Sequence, residues 1–540
     1  MKGRQWYLIP GFALVAFLGY WLAGTATPGK DAGEAPKKSV VLEKAPIIDD
    51  PMPRFRRAER PPSKQRDSDA ALAGALQGQR VLVFKDQDAL NRFLKRAGDG
   101  IRLLGRLDAL NALRVGFSDY DDLAGLLDGE EDESFIFPVY DPAPPEGTVQ
   151  SGAVALGNQL LEWLGITGDN SDWGSGVRIA ILDTGVTANS AFKSSISSIN
   201  LVGLSNDPSA QNGHGTAVAS MIIGNGSLTP GVAPGADILS IRIADDNGKS
   251  DSFYLAKGIV AAVDAGVSLI NISMGSLGDS ALVRNAIEYA RLRGALIVAA
   301  AGNNGLNKVS YPAANDGVIA VGAVDALGNH LDFSNSGAKI DISAPGYGVN
   351  AAWTGDEAAS VTGTSFSSPI VVGAIAAIMT RAGNGKLTAT QAYQLLSRYL
   401  NDGGAAGKDS ALGGGMPDIG RVLNAGTRGI YDAAVASNRI LPPDSANPYG
   451  QVEILVQNRG TETLVNTTVR VSTGAGVVST NLTSLAPNAV RTVRVPITRP
   501  PSGNNNKFNV ESKVMLSGGL KDAKPSNDRR SETYVAAGGQ

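Results

Sequence analysis

Three short segments of the chain each set a reactive side chain where a strand ends or a helix begins. In Ile181-Leu182-Asp183-Thr184-Gly185 an apolar run passes directly into a carboxylate. A carboxylate buried there can orient an imidazole and stabilise its protonated form. In Asn212-Gly213-His214-Gly215-Thr216 a glycine-flanked histidine opens the apolar stretch 217–221, where small neighbours let other backbone approach the ring. In Gly363-Thr364-Ser365-Phe366-Ser367-Ser368-Pro369 a serine stands before the apolar helix expected over 370–379. A helix N-terminus presents both its hydroxyl and its amide to one point. A serine hydroxyl is a weak nucleophile until a base takes its proton. The chain has two histidines, and His330, in Gly328-Asn329-His330-Leu331-Asp332, reads as a polar turn residue. His214 is therefore the expected base for Ser365, with Asp183 fixing its tautomer. Attack on a carbonyl creates an oxyanion, and Ala300-Ala301-Gly302-Asn303-Asn304-Gly305 supplies a side-chain amide after an apolar strand. Asn303 with the Ser365 amide is the expected oxyanion hole. Singly, Asp183 reads as a turn cap, His214 as a satisfied core histidine and Ser365 as a helix cap. Together with Asn303 they argue for nucleophilic catalysis.

Elements able to position these groups are legible around them. Over 156–425, buried-type strands at 177–182, 238–243, 269–273, 296–301 and 318–324 alternate with helical stretches. That alternation predicts an α/β domain with a doubly wound, mostly parallel sheet and its function at the carboxyl ends of the strands. Residues 77–141 read as βαββαβ, an α+β ferredoxin-like unit with its last strand over 135–140. Residues 142–155 form a linker. From 426 to 540 short alternating segments, such as 451–457, 468–472, 490–497 and 510–515, predict an antiparallel β-sandwich.

At the other end, residues 6–24 carry no charge and follow Lys2 and Arg4. They are long enough to cross about 30 Å of hydrocarbon, so 1–26 reads as an export signal, either a retained membrane anchor or a signal peptide cut after Gly24-Thr25-Ala26. Both place the folded part outside the cytoplasm, exported and membrane-anchored or secreted. Residues 27–76, rich in Pro and charge, read as a disordered tether. Its basic cluster, Arg54, Arg56, Arg57, Arg60, Lys64 and Arg66, reads as a solvated linker, the alternative being contact with anionic lipid headgroups or a processing protease. Among 540 residues, 18% charged and 43% hydrophobic, the net charge is -3. No basic field draws this chain to nucleic acid. With no cysteine, disulfides, thiolate metal sites and a cysteine nucleophile are excluded.

The ordered set Asp183, His214, Asn303 and Ser365, in those contexts, resembles the subtilisin-like (S8) serine peptidases. Gly231-Val232-Ala233-Pro234, Asn271-Ile272-Ser273-Met274-Gly275 and Ser343-Ala344-Pro345-Gly346 add to the resemblance, and the order Asp, His, Ser separates it from the α/β-hydrolases. The resemblance implies an endopeptidase that needs no cofactor and takes polypeptide as an extended strand between 246–250, with Gly248, and Ser273, Met274 and Gly275. The first side-chain pocket would be walled by 273–275 and 300–302, including Gly302, with Ser310 near its floor and Lys308 close by. Residues 77–141 would be a propeptide, chaperone and inhibitor, cut off somewhere in 141–151. The connection 225–230 is shorter than the family's usual calcium-binding loop, which puts that structural calcium in doubt, and Ala217 stands where a second histidine is frequent. The C-terminal segment resembles CARDB-like adhesion modules, with an unidentified ligand or a stabilising role. Two other classes compete. A catalytically silent scaffold has no need of Asn303 beside a usable nucleophile, and a lipase or esterase would carry Gly-x-Ser-x-Gly around its serine.

Overall fold

The computed structural model describes residues 67–140, 143–144, 147–202, 212–382, 387–473, 476–497 and 507–535. The expected anchor at 1–26 and the basic cluster at 54–66 lie outside them, as do residues 141, 142, 145 and 146 of the expected cleavage region.

Helix α1 (Asp67–Leu72) falls within the stretch expected to be a disordered tether. After it come β1 (Gln79–Phe84), α2 (Gln87–Arg96), β2 (Ile101–Leu107), β3 (Ala112–Phe117), α3 (Tyr120–Ala124) and β4 (Glu131–Ser134). The strands form an antiparallel sheet in the order β2-β3-β1-β4. Asp86 caps α2 by accepting from the Ala89 N–H at 2.7 Å. The helix lays Leu90 and Phe93 over Leu82, Leu113 and Val115 of the sheet. One element differs from expectation. The fourth strand is the acidic 131–134 rather than the apolar 135–140, because the fully buried Arg80 on β1 demands a carboxylate and Glu133 supplies it at 2.9 Å. The apolar run instead continues as β5 (Pro138–Tyr140), which leaves the sheet altogether.

The central unit begins with α4 (Leu160–Trp163) and β6 (Arg178–Asp183), followed by β7 (Ile196–Asn200), α5 (His214–Ile223), β8 (Asp237–Arg242), β9 (Lys249–Asp251), α6 (Ser252–Asp264), β10 (Leu269–Ile272), α7 (Ala281–Leu292), β11 (Leu296–Ala300), β12 (Val318–Val324) and β13 (Ile342–Pro345). A hairpin, β14 (Val349–Ala352) and β15 (Ala358–Val361), leads to α8 (Thr364–Arg381), α9 (Ala389–Ser397) and α10 (Ile419–Asn424). Seven strands form one parallel sheet in the order β13-β12-β11-β10-β6-β8-β7. The chain enters at β6, runs to the edge at β7 and comes back through β8, then crosses to β10 on the other side of β6. The crevice at the carboxyl ends of β6 and β10 is the place such a sheet offers a ligand. Helices α5 and α8 cover one face with Val218, Ile222, Val371 and Ile375, whereas α6 and α7 cover the other with Ile259, Val263, Ala286 and Ile287. Among the described residues α8 alone is long and apolar enough to cross a membrane, and 89% of that window is buried inside the domain.

The chain closes with β16 (Ala433–Leu441), β17 (Gln451–Asn458), β18 (Leu464–Thr473), β19 (Gly476–Leu485), β20 (Val490–Pro496), β21 (Lys507–Met515) and β22 (Arg529–Val535). They make two antiparallel sheets, β16-β17-β20 and β19-β18-β21-β22. Val452, Ile454 and Val493 of one sheet share a core with Val469, Val471 and Val510 of the other, the pattern expected where alternate residues face inward.

Candidate active site

Asp183 is the last residue of β6 and is fully buried. Its Oδ1 lies 2.8 Å from His214 Nδ1 and accepts from the Thr184 N–H at 2.7 Å. An acceptor at Nδ1 places the imidazole proton there and leaves the Nε2 lone pair for another group. His214, first residue of α5, is fixed from behind as its N–H donates to Asn212 Oδ1 at 2.9 Å. The glycine after it is a steric requirement: a Cβ on Gly215 would sit 2.2 Å from the Gly185 carbonyl oxygen and 3.2 Å from Asp183 Oδ1. Across the site, the His214 ring packs on Phe366, with centroids 5.4 Å apart. This sets the imidazole beside the residue that follows Ser365.

Ser365 is the second residue of α8, in the first turn, whose N–H groups have no acceptor within the helix. Four residues on, Pro369 has no N–H to give to the Ser365 carbonyl. Ser273, just past β10, fills that role: its Oγ donates to the Ser365 carbonyl at 2.7 Å. The Ser365 Oγ donates in turn to the Ser273 carbonyl at 2.9 Å. Ser365 is thus tied to the end of β10, with Asn271 and Ser368 extending the network through bonds of 2.9 and 2.8 Å. Asn303, three residues beyond β11, accepts at Oδ1 from both the Thr364 N–H and Thr364 Oγ1, each at 2.8 Å. That double acceptance fixes which way the amide points, so Nδ2 faces the start of α8, where a Cβ on Gly363 would lie 3.0 Å from it. The four residues singled out in the sequence therefore converge at the carboxyl ends of β6, β10 and β11. Thr364, which orients Asn303, was passed over although it stands in the same motif.

The groove beside them is lined by extended backbone. Strand β5 pairs antiparallel with β9, as Pro138 with Asp251, Val139 with Ser250 and Tyr140 with Lys249. On its other side the Tyr140 N–H donates to the Gly275 carbonyl at 3.0 Å, and the Gly275 N–H to the Tyr140 carbonyl at 2.9 Å. The paired edge is Lys249–Asp251, which shares only 249 and 250 with the expected 246–250, because 245–248 closes into a turn with Gly248 in the left-handed region at φ 71°. Met274 turns its side chain into the core and only its neighbours line the groove.

Gly275, Gly302 and Ser310 come together: a Cβ on Gly302 would meet Ser310 Oγ at 2.4 Å, and one on Gly275 would meet Ser310 Cβ at 3.1 Å. Asn335, not anticipated, donates to Ser310 Oγ at 3.2 Å and to the Ala301 carbonyl at 3.1 Å, and accepts from the N–H groups of Asn304 and Leu306. Its surroundings, Leu331-Asp332-Phe333-Ser334-Asn335-Ser336, carry no local signal of that role. Lys308 lies against the Tyr311 ring at 5.9 Å. His330 bridges to Val324 at a turn, and burial lowers its pKa, which keeps the ring neutral. The connection 225–230 closes tightly through the Gly231 N–H on the Gly224 carbonyl at 2.7 Å. It contains no carboxylate, so the Asn225 amide and backbone carbonyls are the oxygens it could turn to a hard cation.

Comparison with known proteins bears on this geometry. The profile described as the subtilase family (Peptidase S8) matches residues 174–415. A thermostable alkaline protease of Halalkalibacterium halodurans is 34% identical over 296 residues, covering 52% of this chain and 78% of that protein. Subtilisin BL of Lederbergia lenta is 38% identical over 213 residues, 38% of this chain and 77% of the relative. Among solved structures, the epidermin leader peptide processing serine protease of Staphylococcus aureus superposes with a TM-score of 0.54 at 23% identity, over 65% of this chain and 98% of that one. That last likeness concerns the fold alone.

Proposed function

This chain belongs to the subtilase family and is a subtilisin-like serine endopeptidase, and we propose that Asp183, His214 and Ser365 are its catalytic triad with Asn303 as oxyanion donor. The observation that carries the assignment is the buried 2.8 Å contact of His214 with Asp183, on an imidazole packed against the residue after Ser365. In this reading the Ser365 hydroxyl turns from the Ser273 carbonyl to His214 Nε2, which takes its proton as Oγ bonds to the carbonyl carbon of the scissile peptide. The oxyanion is held by Asn303 Nδ2 and the Ser365 N–H. Collapse breaks the C–N bond, and His214 returns the proton to the leaving amine. Water then repeats the sequence on the acyl-enzyme. Asp183 stays ionised throughout and stabilises the imidazolium. Side chains and backbone amides suffice, and the mechanism assigns no step to a cofactor.

The same proposal reads 77–141 as a propeptide. What supports it is β5, which occupies the groove between β9 and Gly275 in the manner of an extended peptide. The chain is made as a zymogen and cuts itself within 141–151, a stretch only partly among the described residues. Export, by anchor or cleaved signal, rests on the uncharged 6–24, and the C-terminal sheets serve as a fixed appendage. A serine-directed fluorophosphonate probe with N-terminal sequencing tests the whole reading. The natural chain should label and begin near residue 150. Ser365→Ala should neither label nor lose its N-terminal unit, with turnover lower by several orders of magnitude. Labelling that persists in Ser365→Ala would refute the assignment.

A further inference from the structure

The chain in the groove is gripped further upstream than β5. The Phe137 N–H donates to Ser252 Oγ at 3.1 Å, and the Phe137 carbonyl accepts from the Ser252 N–H at 2.9 Å. One residue at the start of α6 thus recognises both backbone groups of Phe137. The Phe137 ring lies directly on Gly278, in the connection between β10 and α7. A Cβ there would stand 2.0 Å from ring Cδ1, 2.3 Å from Cγ and 2.5 Å from Cε1. Gly278 is not held in the left-handed region, so no backbone need explains a glycine here. What its missing side chain provides is a flat seat for a ring.

The seat belongs to the peptidase unit itself. Ser252 is held in place because Asp251 caps α6, accepting from the Phe253 and Tyr254 N–H groups at 2.9 and 3.1 Å. Gly278 is held by its N–H on Ser276 Oγ at 3.1 Å, next to the Ser276–Tyr311 bridge. Neither needs residues 67–140 to be formed. Backbone pairing of this kind does not depend on the sequence of the guest, so another extended chain following the same line brings its own side chain to Gly278.

We propose that Ser252 and Gly278 form an upstream substrate subsite for an aromatic side chain. It would receive a Phe, Tyr or Trp of a polypeptide, three residues before the residue that pairs with Gly275. The proposal rests on the groove being the substrate cleft of an active endopeptidase. The test is a set of internally quenched peptides with a single scissile bond, in which one Phe is walked residue by residue through the upstream Ala positions. A truncated peptide beginning at the residue that pairs with Gly275 serves as control. The mature natural enzyme should show, at one upstream position, a kcat/KM at least about fivefold above the all-Ala peptide. Gly278→Ala should erase that maximum while cutting the truncated peptide at the natural rate, which also shows that the variant is folded. A Phe profile identical in the two enzymes would overturn the subsite and leave the peptidase reading intact. No cleavage of even the truncated peptide by the natural enzyme would overturn both.

Discussion

Two units flank the central sheet, and they are fastened to it by opposite means. The N-terminal unit contributes an apolar face, with Val81, Leu107, Leu110 and Ala112 joining Ile259 and Val263 in one core. Its polar contacts are few: Arg114 meets Asp251 at 2.8 Å and lies over the rings of Phe253 and Tyr254, and β5 sits in the groove. The C-terminal unit is held by buried polar groups. Arg421 on α10, 8% exposed, donates to the carbonyls of Tyr399, Leu400 and Arg459 and to the side-chain oxygens of Asn401 and Asn488, at 2.6 to 3.2 Å. Gln457 spans the same seam, donating to the Leu400 carbonyl at 3.0 Å and accepting from the Asp402 N–H and Arg459 Nε. Burial lowers the pKa of Arg421, and brings that of Arg459 down to about 10. An apolar face with extended backbone pairing is non-directional and reusable by another chain. A buried guanidinium satisfied by five oxygens tolerates one arrangement only. Under the proposed self-processing, the first attachment suits the part to be removed and the second the part that stays.

The sharpest way to break this contrast is at Arg421. Arg421→Met keeps much of the volume and removes every one of those donors, leaving carbonyls of both units dry at about 1–3 kcal/mol each. A loss of about 3 kcal/mol or more is expected, read as a lower denaturant midpoint and early proteolysis between 425 and 433. It should be measured with Ser365→Ala as background, so that self-digestion does not contribute. A midpoint within error of the parent would mean the seam is not built on this residue.

Arg114→Ala tests the other attachment and should do less, because most of that contact is apolar and survives. Loss of one largely buried ion pair and two cation–π contacts is worth about 1–2 kcal/mol, or roughly a five- to thirtyfold weaker hold. The expected readout is a shorter lag before activity appears and faster escape of the cut N-terminal unit on size exclusion. An unchanged lag would place the grip in β5 and the apolar face alone.

How far the sequence disclosed this difference depends on the range of the interactions. Strand β12 is found where its uninterrupted apolar run lay, and β6, β8, β10 and β11 within a residue or so of expectation, since a strand buried on both faces needs no partner to be recognised. The four site residues stood in short motifs whose local chemistry is self-contained. Asn335 and Thr364 were missed because their roles exist only once β11, α8 and the 335 turn meet. The strand over 131–134 was missed because its apolar content is nil and its reason for pairing is Arg80, some fifty residues earlier. Arg421, in a helical stretch with ordinary composition, gives no sign that its partners are carbonyls at 399, 400 and 459.

The smallest expected effect concerns charge inside the C-terminal unit, where the polar strategy is least complete. Burial, with the like charges of Asp522 and Asp432 nearby and only partial relief from Lys513, raises the pKa of Asp528 to about 7. Its Oδ1 is buried without a hydrogen-bond partner among the described residues. Asp522 cannot move away to relieve it, since it accepts from the Ala433 and Lys524 N–H groups at 2.9 and 2.7 Å. An unfolded chain releases this proton near pH 3.9, whereas the folded one keeps it until about pH 7. The folded state therefore binds more protons in between, and linkage requires that the stability contributed by Asp528 is full below about pH 4 and lost as pH rises through 7. Asp528→Asn cannot ionise and escapes that loss. In the Ser365→Ala background, its melting temperature should pull ahead of the parent as pH goes from 4 to 8, by a few degrees at most because Asp528 is partly solvated. Parallel profiles across that range would show that the carboxylates of this unit are hydrated in solution.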